Sequence, residues 1–102
     1  MLLLLFKKQF FESIRAGQKR TTIRRWTKPR VCAGKQAFTP GLGWISIECV
    51  DVVLLRELDD VDAQADGFAS AEQIRRELRR LYPAIKRDGK HWFRVRFSLT
   101  FE

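Results

Sequence analysis

The segment from Gly17 to Trp26 constrains the fold more than any other, because it joins a turn signal to a strand signal. Four cations and two threonines surround a single aliphatic residue, Ile23. Gly17 follows an apolar segment with helical spacing, and glycine at such a position commonly ends a helix. Thr-Thr-Ile is typical of a strand. We therefore expect a helix to end at Gly17 and a basic strand to follow the turn, at a place suited to binding.

Size and composition favour one small domain. With 102 residues, 45% of them hydrophobic, the chain has apolar mass for a single core, and we predict one domain over residues 1–102. Cys32 and Cys49 lack zinc-ligand spacing and the chain has one histidine, so we predict no metal or cofactor and expect buried thiols. The apolar run 1–6 is too short to span a membrane, so we interpret it as a buried first strand of a cytoplasmic protein without a membrane partner.

Charge is distributed unevenly along the chain. Residues 1–35 carry ten Lys or Arg against one acid, residues 36–66 carry one Arg against seven acids, and residues 67–102 carry nine against four. A basic surface built from both ends of the chain attracts a polyanion such as RNA. Two alternatives are a solvated basic surface without a specific partner and a protein-interaction module that uses the acidic residues 57–66.

The remaining segments alternate between strand and helix signals without a repeat. A capping-box sequence at Ser70 predicts a helix from Ala71 to Tyr82 that stops at Pro83, with four arginines on its outer face. The alternation from Phe93 to Phe101 is typical of a half-buried strand. The other predicted elements are a helix over 7–16, a brief strand over Gln36–Thr39, and one or two helical turns over 59–65 that Asp66-Gly67-Phe68 break. A long strand is predicted over Trp44–Leu55, with either a bulge or a change from one-sided to two-sided burial near Val50. Together they predict an α+β fold, with five or six short strands in a small barrel-like sheet flanked by two or three helices.

Strand parity gives a first view of the site. If Ile23 points into the core, Thr21 shares its face and Thr22 points the other way with Arg24, so Thr22 is the hydroxyl expected to line a cleft. Trp26 lies beside these cations and is a candidate for stacking on an unpaired base, although core packing is the commoner role of tryptophan. Trp92 is a weaker candidate of the same kind.

Several short motifs, in this order and spacing, resemble the ASCH domain, a relative of the PUA domain, over nearly the whole chain. They are Ala16-Gly17-x-Lys19 running into Thr22-Ile23-Arg24, a Gly34 turn, Gly43 before a strand, Asp66-Gly67-Phe68, Leu81-Tyr82-Pro83 and a closing Arg96-Phe97.

The resemblance implies a PUA-like β-barrel with a cleft between barrel and helices. Proteins of this family are associated with RNA binding or coactivator roles, and some small single-domain members hydrolyse N4-acetylcytidine. The amidohydrolase branch implies Lys19, Thr22 and Asp66 as a catalytic set, in which the hydroxyl attacks an acyl carbon while amine and carboxylate move protons. Asp66 stands where that branch has the longer glutamate.

The leading hypothesis from the sequence is a domain that binds RNA or a modified nucleoside in a basic cleft. The alternative is a small amidohydrolase that deacylates N4-acetylcytidine, or a related nucleic-acid hydrolase. The residues predicted to bind the ligand are Lys19, Arg20, Arg24, Arg25, Trp26, Arg76 and Arg80.

Overall fold

The computed structural model describes residues 2–83 and 88–100, which form an α+β fold. One antiparallel four-stranded sheet curls into a half-barrel, and its strand order is β1-β4-β3-β2. The strands are β1 (Thr21–Trp26), β2 (Gln36–Thr39), β3 (Gly43–Val52) and β4 (His91–Leu99). The helices are α1 (Phe11–Arg15), α2 (Asp60–Asp66) and α3 (Ala71–Leu81).

The strand count predicted from the sequence is wrong: the described residues contain four strands and not five or six. The expected first strand is reduced to an isolated parallel bridge between Leu3 and Phe38. Two main-chain hydrogen bonds hold it, since Phe38 donates to the Leu2 carbonyl and the Leu4 amide donates to the Phe38 carbonyl. The segment therefore lies along β2 and buries Leu4 without extending the sheet. Met1, which opened the predicted strand, lies outside the described residues.

The helix predicted over 7–16 is shorter and begins as a 3-10 turn, Lys8–Phe10, before α1. The predicted end of the helix is confirmed. Ala16 is the C-cap residue of α1, and Gly17 takes the left-handed conformation at φ 75°. Glycine adopts that conformation without the steric penalty that a Cβ would add. The turn at Gly17 then delivers the chain to β1.

The two longest strands form the centre of the sheet. In β4, Val95 and Phe97 are buried while Arg96 is exposed, as the alternation predicted. The register of β3 against β4 shifts between Ile47 and Cys49, earlier than predicted. The long strand is also shorter than predicted, because a 3-10 turn begins at Leu55 and the chain leaves the sheet after Val52. Phe101, the predicted end of the last strand, lies outside the described residues.

Both faces of the sheet are covered near β1. Side chains on the concave face form the larger hydrophobic cluster, and side chains on the convex face pack against α2 and α3 in a smaller one. The concave cluster contains Leu4, Ile14, Trp26, Val31, Ala37, Ile45, Ile47, Phe93, Val95 and Phe97. The convex cluster contains Ile23, Leu58, Ala63, Ile74, Leu78 and Trp92. Ile23 thus packs against the helices and not into the half-barrel.

The predicted helix α3 is confirmed, with Ser70 at its N-cap accepting a hydrogen bond from the Gln73 amide at 3.2 Å. The second half of the predicted capping box differs, since the Gln73 side chain accepts from the Ala69 amide and not from Ser70. No helix of the described residues is long and apolar enough to cross a membrane.

The expectation of two buried thiols is wrong. Cys32 is exposed in the loop before β2, and Cys49 is half-buried directly after the register shift in β3. Each lies beside a position where regular strand geometry is absent or interrupted, so the alternation of neighbouring apolar residues does not determine its burial.

Candidate functional site

A cavity of about 350 Å³, the first cavity, lies between residues 5–10, β1 and the C-terminal ends of α2 and α3. Most of its wall is apolar, and six polar side chains contribute the rest. The apolar part consists of Leu5, Phe6, Phe10, Ile23, Phe68, Leu78, Leu81 and Tyr82. The polar part consists of Lys7, Lys19, Thr22, Arg24, Asp66 and Glu77.

Lys19 lies at the start of β1 and is only 4% exposed. Its ammonium donates to the Thr21 carbonyl at 2.9 Å, to the Asp66 carboxylate at 3.0 Å and to the Asp66 main-chain carbonyl. A lysine ammonium has three protons to donate, so these three acceptors satisfy it completely. The geometry therefore fits a charged amine held by a closed set of protein oxygens.

The sequence of α2 explains how its last residue meets Lys19. Asp59 and Asp62 form a capping box that fixes the start of the helix. Gly67, at φ 96°, ends it in the left-handed conformation. The final carbonyls of a helix have no partner within it, and here β1 supplies the donors. The Arg20 amide donates to the Ala65 carbonyl at 2.7 Å, and Lys19 takes the next carbonyl along.

Thr21 completes this polar network by donating from its hydroxyl to Asp66 Oδ2 at 3.0 Å. Both carboxylate oxygens of Asp66 therefore have donors, although the residue is only 4% exposed. Among residues 2–83 and 88–100, no buried side-chain nitrogen or oxygen lacks a hydrogen-bond partner. We call Lys19, Thr21 and Asp66 the buried polar network.

Burial and pairing act in opposite directions on the two charged groups of this network. Burial raises the pKa of the Asp66 carboxyl, and the attraction of Lys19 opposes that rise. Burial likewise lowers the pKa of the Lys19 amine, and Asp66 opposes that change. Each group thus opposes the effect of burial on the other, which makes the pair sensitive to loss of either partner.

Thr22 and Arg24 lie on the other face of β1 and line the first cavity. Arg24 Nε donates to the Thr22 hydroxyl at 3.0 Å, and another guanidinium nitrogen donates to the Leu5 carbonyl. The guanidinium carbon lies 5.2 Å from the centroid of the Phe6 ring. Within the described part of the chain, no carboxylate lies within 4.0 Å of this guanidinium. Arg24 is therefore a half-buried cation that only neutral groups hold.

The free edge of β1 also borders the first cavity. β1 is an edge strand whose one neighbour is β4, and the Phe97 amide donates to the Arg20 carbonyl at 2.9 Å. In an antiparallel pair, alternate residues bond to the partner strand, so Thr21 and Ile23 direct their main-chain groups away from β4. The bond from Lys19 to the Thr21 carbonyl agrees with this direction. Within the described residues, the Ile23 amide and carbonyl accordingly form an unpaired donor and acceptor.

The structure brings together two of the three residues predicted as a catalytic set, Lys19 and Asp66. Thr22 lines the same cavity, but its hydrogen-bond partner is Arg24, and Thr21 is the hydroxyl that touches Asp66. Strand parity placed Thr22 and Arg24 together, as observed. Parity could not show that α2 covers the opposite face and gives Thr21 a carboxylate partner.

Three residues predicted to bind the ligand lie away from the first cavity. Arg20 is exposed and borders a different cavity. Arg25 pairs with Asp88 at 3.3 Å and lies 4.9 Å from the centroid of the Trp92 ring. Trp26 is 9% exposed within the concave cluster. Base stacking on Trp26 would require its removal from the core.

The arginines predicted to extend the charge along α3 also lie outside both cavities. Arg76 pairs with Glu72 at 2.9 Å, and Arg80 pairs with Glu77. The Arg76–Glu72 pair lies on an exposed helix surface, where such contacts contribute little energy. Glu77 is half-buried at the first cavity, whereas Arg80 is exposed.

The acidic residues 57–66 are used within the fold. Asp60 accepts from the Ala71 amide at 2.8 Å, and Asp62 pairs with Arg94 at 3.2 Å. With the capping role of Asp59 and the burial of Asp66, four of the segment's carboxylates have intramolecular partners. These contacts give the acidic residues a structural role in forming and packing α2.

Of the aromatic residues that form the cavity wall, the sequence singled out Phe68 and Tyr82 only as parts of family motifs and did not predict the roles of Phe6 and Phe10. Phe10 lies 4.8 Å from the Lys19 ammonium, and its ring faces Phe68 at a centroid distance of 6.4 Å. Phe68 and Tyr82 belong to the Asp66-Gly67-Phe68 and Leu81-Tyr82-Pro83 motifs, which gave a usable signal. Phe6 carries no comparable signal, because tertiary packing alone brings it here.

Comparison with known proteins supports the fold. The chain is similar to the crystal structure of hypothetical protein PH0355, with a TM-score of 0.76 and 16% sequence identity over 94% of this chain and 95% of that one. At this identity the similarity shows a shared fold. A scan against protein-family models and a search of curated proteins find no match.

Proposed function

We propose that the chain is an RNA- or nucleotide-binding domain of the ASCH type, with a PUA-like barrel, that holds one unstacked base in the first cavity. One observation carries the proposal: aromatic side chains, an unpaired strand edge and an unpaired cation line the same cavity. Its volume of about 350 Å³ falls within the range of small-molecule sites.

The aromatic wall supplies contact for a planar ring. Phe6, Phe10, Phe68 and Tyr82 contribute π-faces or edges to the cavity. Stacking of a base on an aromatic side chain contributes about 1–3 kcal/mol and is tolerant of base identity. An apolar wall of this kind favours a flat heterocycle over a flexible polar ligand.

The strand edge supplies hydrogen bonds for the rim of that ring. Single-stranded bases are commonly recognised along their Watson–Crick edges. Each of the four bases presents a donor next to an acceptor on this edge, and the Ile23 amide and carbonyl offer one complementary pair. A base thus satisfies main-chain groups that would otherwise face the cavity unpaired.

Arg24 supplies the positive charge for an attached phosphate. It is the one cation of the described cavity wall that is half-buried without a carboxylate partner, whereas Asp66 balances Lys19. Hydrogen bonds between guanidinium and phosphate are short and strong. We therefore expect a nucleotide to bind more tightly than the corresponding nucleoside.

Calorimetric titration with the four nucleosides and their 5′-monophosphates tests this function. Wild type is expected to bind at least one pair and to prefer the monophosphate. Arg24→Gln is expected to weaken monophosphate binding about tenfold, or about 1.4 kcal/mol, with a smaller effect on the nucleoside. Arg56→Gln is the matched control, because Arg56 is exposed and lines neither cavity. Absence of binding to all eight compounds and to short RNA would contradict the proposal.

A second candidate, the deacylation of N4-acetylcytidine, is favoured by one observation: Lys19, Thr22 and Asp66 all line the first cavity. In that reaction Thr22 Oγ attacks the acetyl carbon and its proton passes to a basic group of the network, which returns the proton to the amino group of cytidine as the C–N bond breaks. Water then hydrolyses the acetyl ester on Thr22, which releases acetate and restores the hydroxyl. Lys19 can accept that proton only as a neutral amine, and its three bonds to protein oxygens favour the charged form.

Incubation of wild type and Thr22→Ala with N4-acetylcytidine tests this candidate. Release of acetate by wild type but not by Thr22→Ala would support it. If wild type releases no acetate while it still binds nucleotides, the deacylase is excluded and the binding function stands.

A further inference from the structure

A second cavity, of about 330 Å³, lies beside the Gly17 turn and the end of β4. It is separate from the first cavity but shares one lining residue, Lys19. Lys19 therefore forms part of the wall of both spaces.

The second cavity is cationic. Arg15, Arg20 and Arg96 line it together with a single acid, Glu48. In the described part of the chain, no carboxylate lies within 4.0 Å of any of these three guanidinium groups. Arg15 donates to the Gly41 carbonyl at 2.8 Å, which fixes its position without neutralising its charge.

Strand pairing brings the backbones of two of these residues close together. The Phe97 amide bonds to the Arg20 carbonyl, and Arg96 is the register partner of Thr21. Arg20 and Arg96 thus lie one step apart on neighbouring strands, and both line the second cavity. Guanidinium groups that line one cavity repel each other, and an anion bound between them offsets that repulsion.

The one acid that lines the second cavity, Glu48, does not pair with its arginines. Glu48 is exposed and lies at the register shift of β3, between Ile47 and Cys49. A shift of this kind bends a strand and turns a side chain out of the regular ladder. Glu48 lines the cavity but lies beyond ion-pairing distance of its arginines.

We infer that the second cavity binds a backbone phosphate adjacent to the base in the first cavity, so that the ligand is a single-stranded oligonucleotide. This inference rests on the proposed function, because Lys19 lines both cavities. Guanidinium groups match phosphate through paired hydrogen bonds. Arg24 and the pair Arg20 and Arg96 would then contact phosphates on two sides of one nucleotide.

The test compares a fluorescein-labelled six-nucleotide RNA with unlabelled nucleosides, using wild type and the double variant Arg20→Gln/Arg96→Gln. Both side chains are exposed, so the variant is expected to fold, and its thermal melting curve checks this. Oligonucleotide affinity should fall at least tenfold, and the salt dependence should weaken by about 0.7 in the log–log slope for each phosphate that the variant no longer neutralises. Nucleoside affinity should not change.

The control variant Arg30→Gln/Arg56→Gln removes the same charge from exposed positions outside both cavities. An equal decrease of RNA affinity in the control would overturn the inference, because net charge alone would explain binding. Unchanged RNA affinity in the Arg20/Arg96 variant, with nucleosides still bound, would overturn the second site and leave the first. RNA binding that depends on this pair without any nucleoside binding would support the phosphate site and contradict the base cavity.

Discussion

The first cavity has two ends that differ in how their polar groups are satisfied. At one end, the buried polar network of Lys19, Thr21 and Asp66 meets all its hydrogen-bonding needs within the protein. At the other, Ile23 presents an unpaired strand edge, and no carboxylate of the described residues lies within 4.0 Å of the Arg24 guanidinium.

Because of this difference, neighbouring residues in and next to β1 contribute to different properties, some to stability and others to binding. A closed network of buried charges gains nothing from a ligand and fails when one member is removed. A ligand can form hydrogen bonds with an open strand edge and an unpaired cation. Substitution at such a place should change the free energy of unfolding little. We therefore expect substitutions at the first end to act on folding and those at the second end to act on affinity.

The largest expected effect is that of Lys19→Met. The change leaves Asp66 buried without its cation, and breaking a buried pair in this way costs about 3–5 kcal/mol. Urea denaturation of both proteins measures the difference in unfolding free energy. Lys7→Met is the matched control, because Lys7 lines the same cavity but is exposed, and it should change stability by less than about 0.5 kcal/mol. Equal stability of wild type and Lys19→Met would remove the distinction between the two ends.

The same variant should respond to pH with a defined sign. Burial already raises the pKa of Asp66 above its ordinary value of 3.8, and Lys19 no longer opposes the rise in Lys19→Met. A group with a raised folded pKa stabilises the fold below its unfolded pKa and loses that contribution as pH rises through the folded value.

The stability of Lys19→Met relative to wild type should therefore be highest near pH 4. It should fall as pH rises, by up to about 1.4 kcal/mol per pH unit, until the folded pKa of Asp66 is passed. Denaturation series from pH 4 to pH 8 measure this slope. The double variant Lys19→Met/Asp66→Asn lacks the carboxylate and should show no such slope. A flat difference for the single variant would mean that Asp66 escapes to solvent.

The two adjacent threonines provide the finest comparison. Thr21→Val removes a donor from buried Asp66 Oδ2 and should cost about 1–2 kcal/mol of stability with little change in nucleotide affinity. Thr22→Val removes the acceptor of Arg24 Nε and should lower affinity more than stability. Denaturation and calorimetry on both variants test the contrast. The reverse pattern, with affinity reduced in Thr21→Val, would assign Thr21 to the ligand.

The sequence predicted those features that local chemistry determines. Gly17 ends α1, Ser70 begins α3, and the alternation in β4 fixes which of its side chains are buried. Each depends on residues within a few positions of one another.

Features that depend on distant packing were missed. Parity divided Thr21 from Thr22 correctly, but the sequence could not show that α2 covers the face of Thr21. The run 1–6 has a strand composition, yet within its described residues it makes a single bridge, between Leu3 and Phe38. Trp26 lies beside cations in sequence but packs into the core, on the opposite face of the strand from its neighbour Arg25.

The hydrogen bonds between β1 and the end of α2 also affect local opening of the fold. The Arg20 amide and the Lys19 ammonium hold the last two carbonyls of α2, and the Arg20 carbonyl in turn holds the Phe97 amide. Detachment of α2 would break the bonds that hold Lys19 and Arg20, and would thus release the chain just before β1 together with the helix. We therefore expect α2 and the start of β1 to open as one cooperative unit. Fluctuations of α2 would then determine how often Lys19, which lines both cavities, loses its hydrogen bonds.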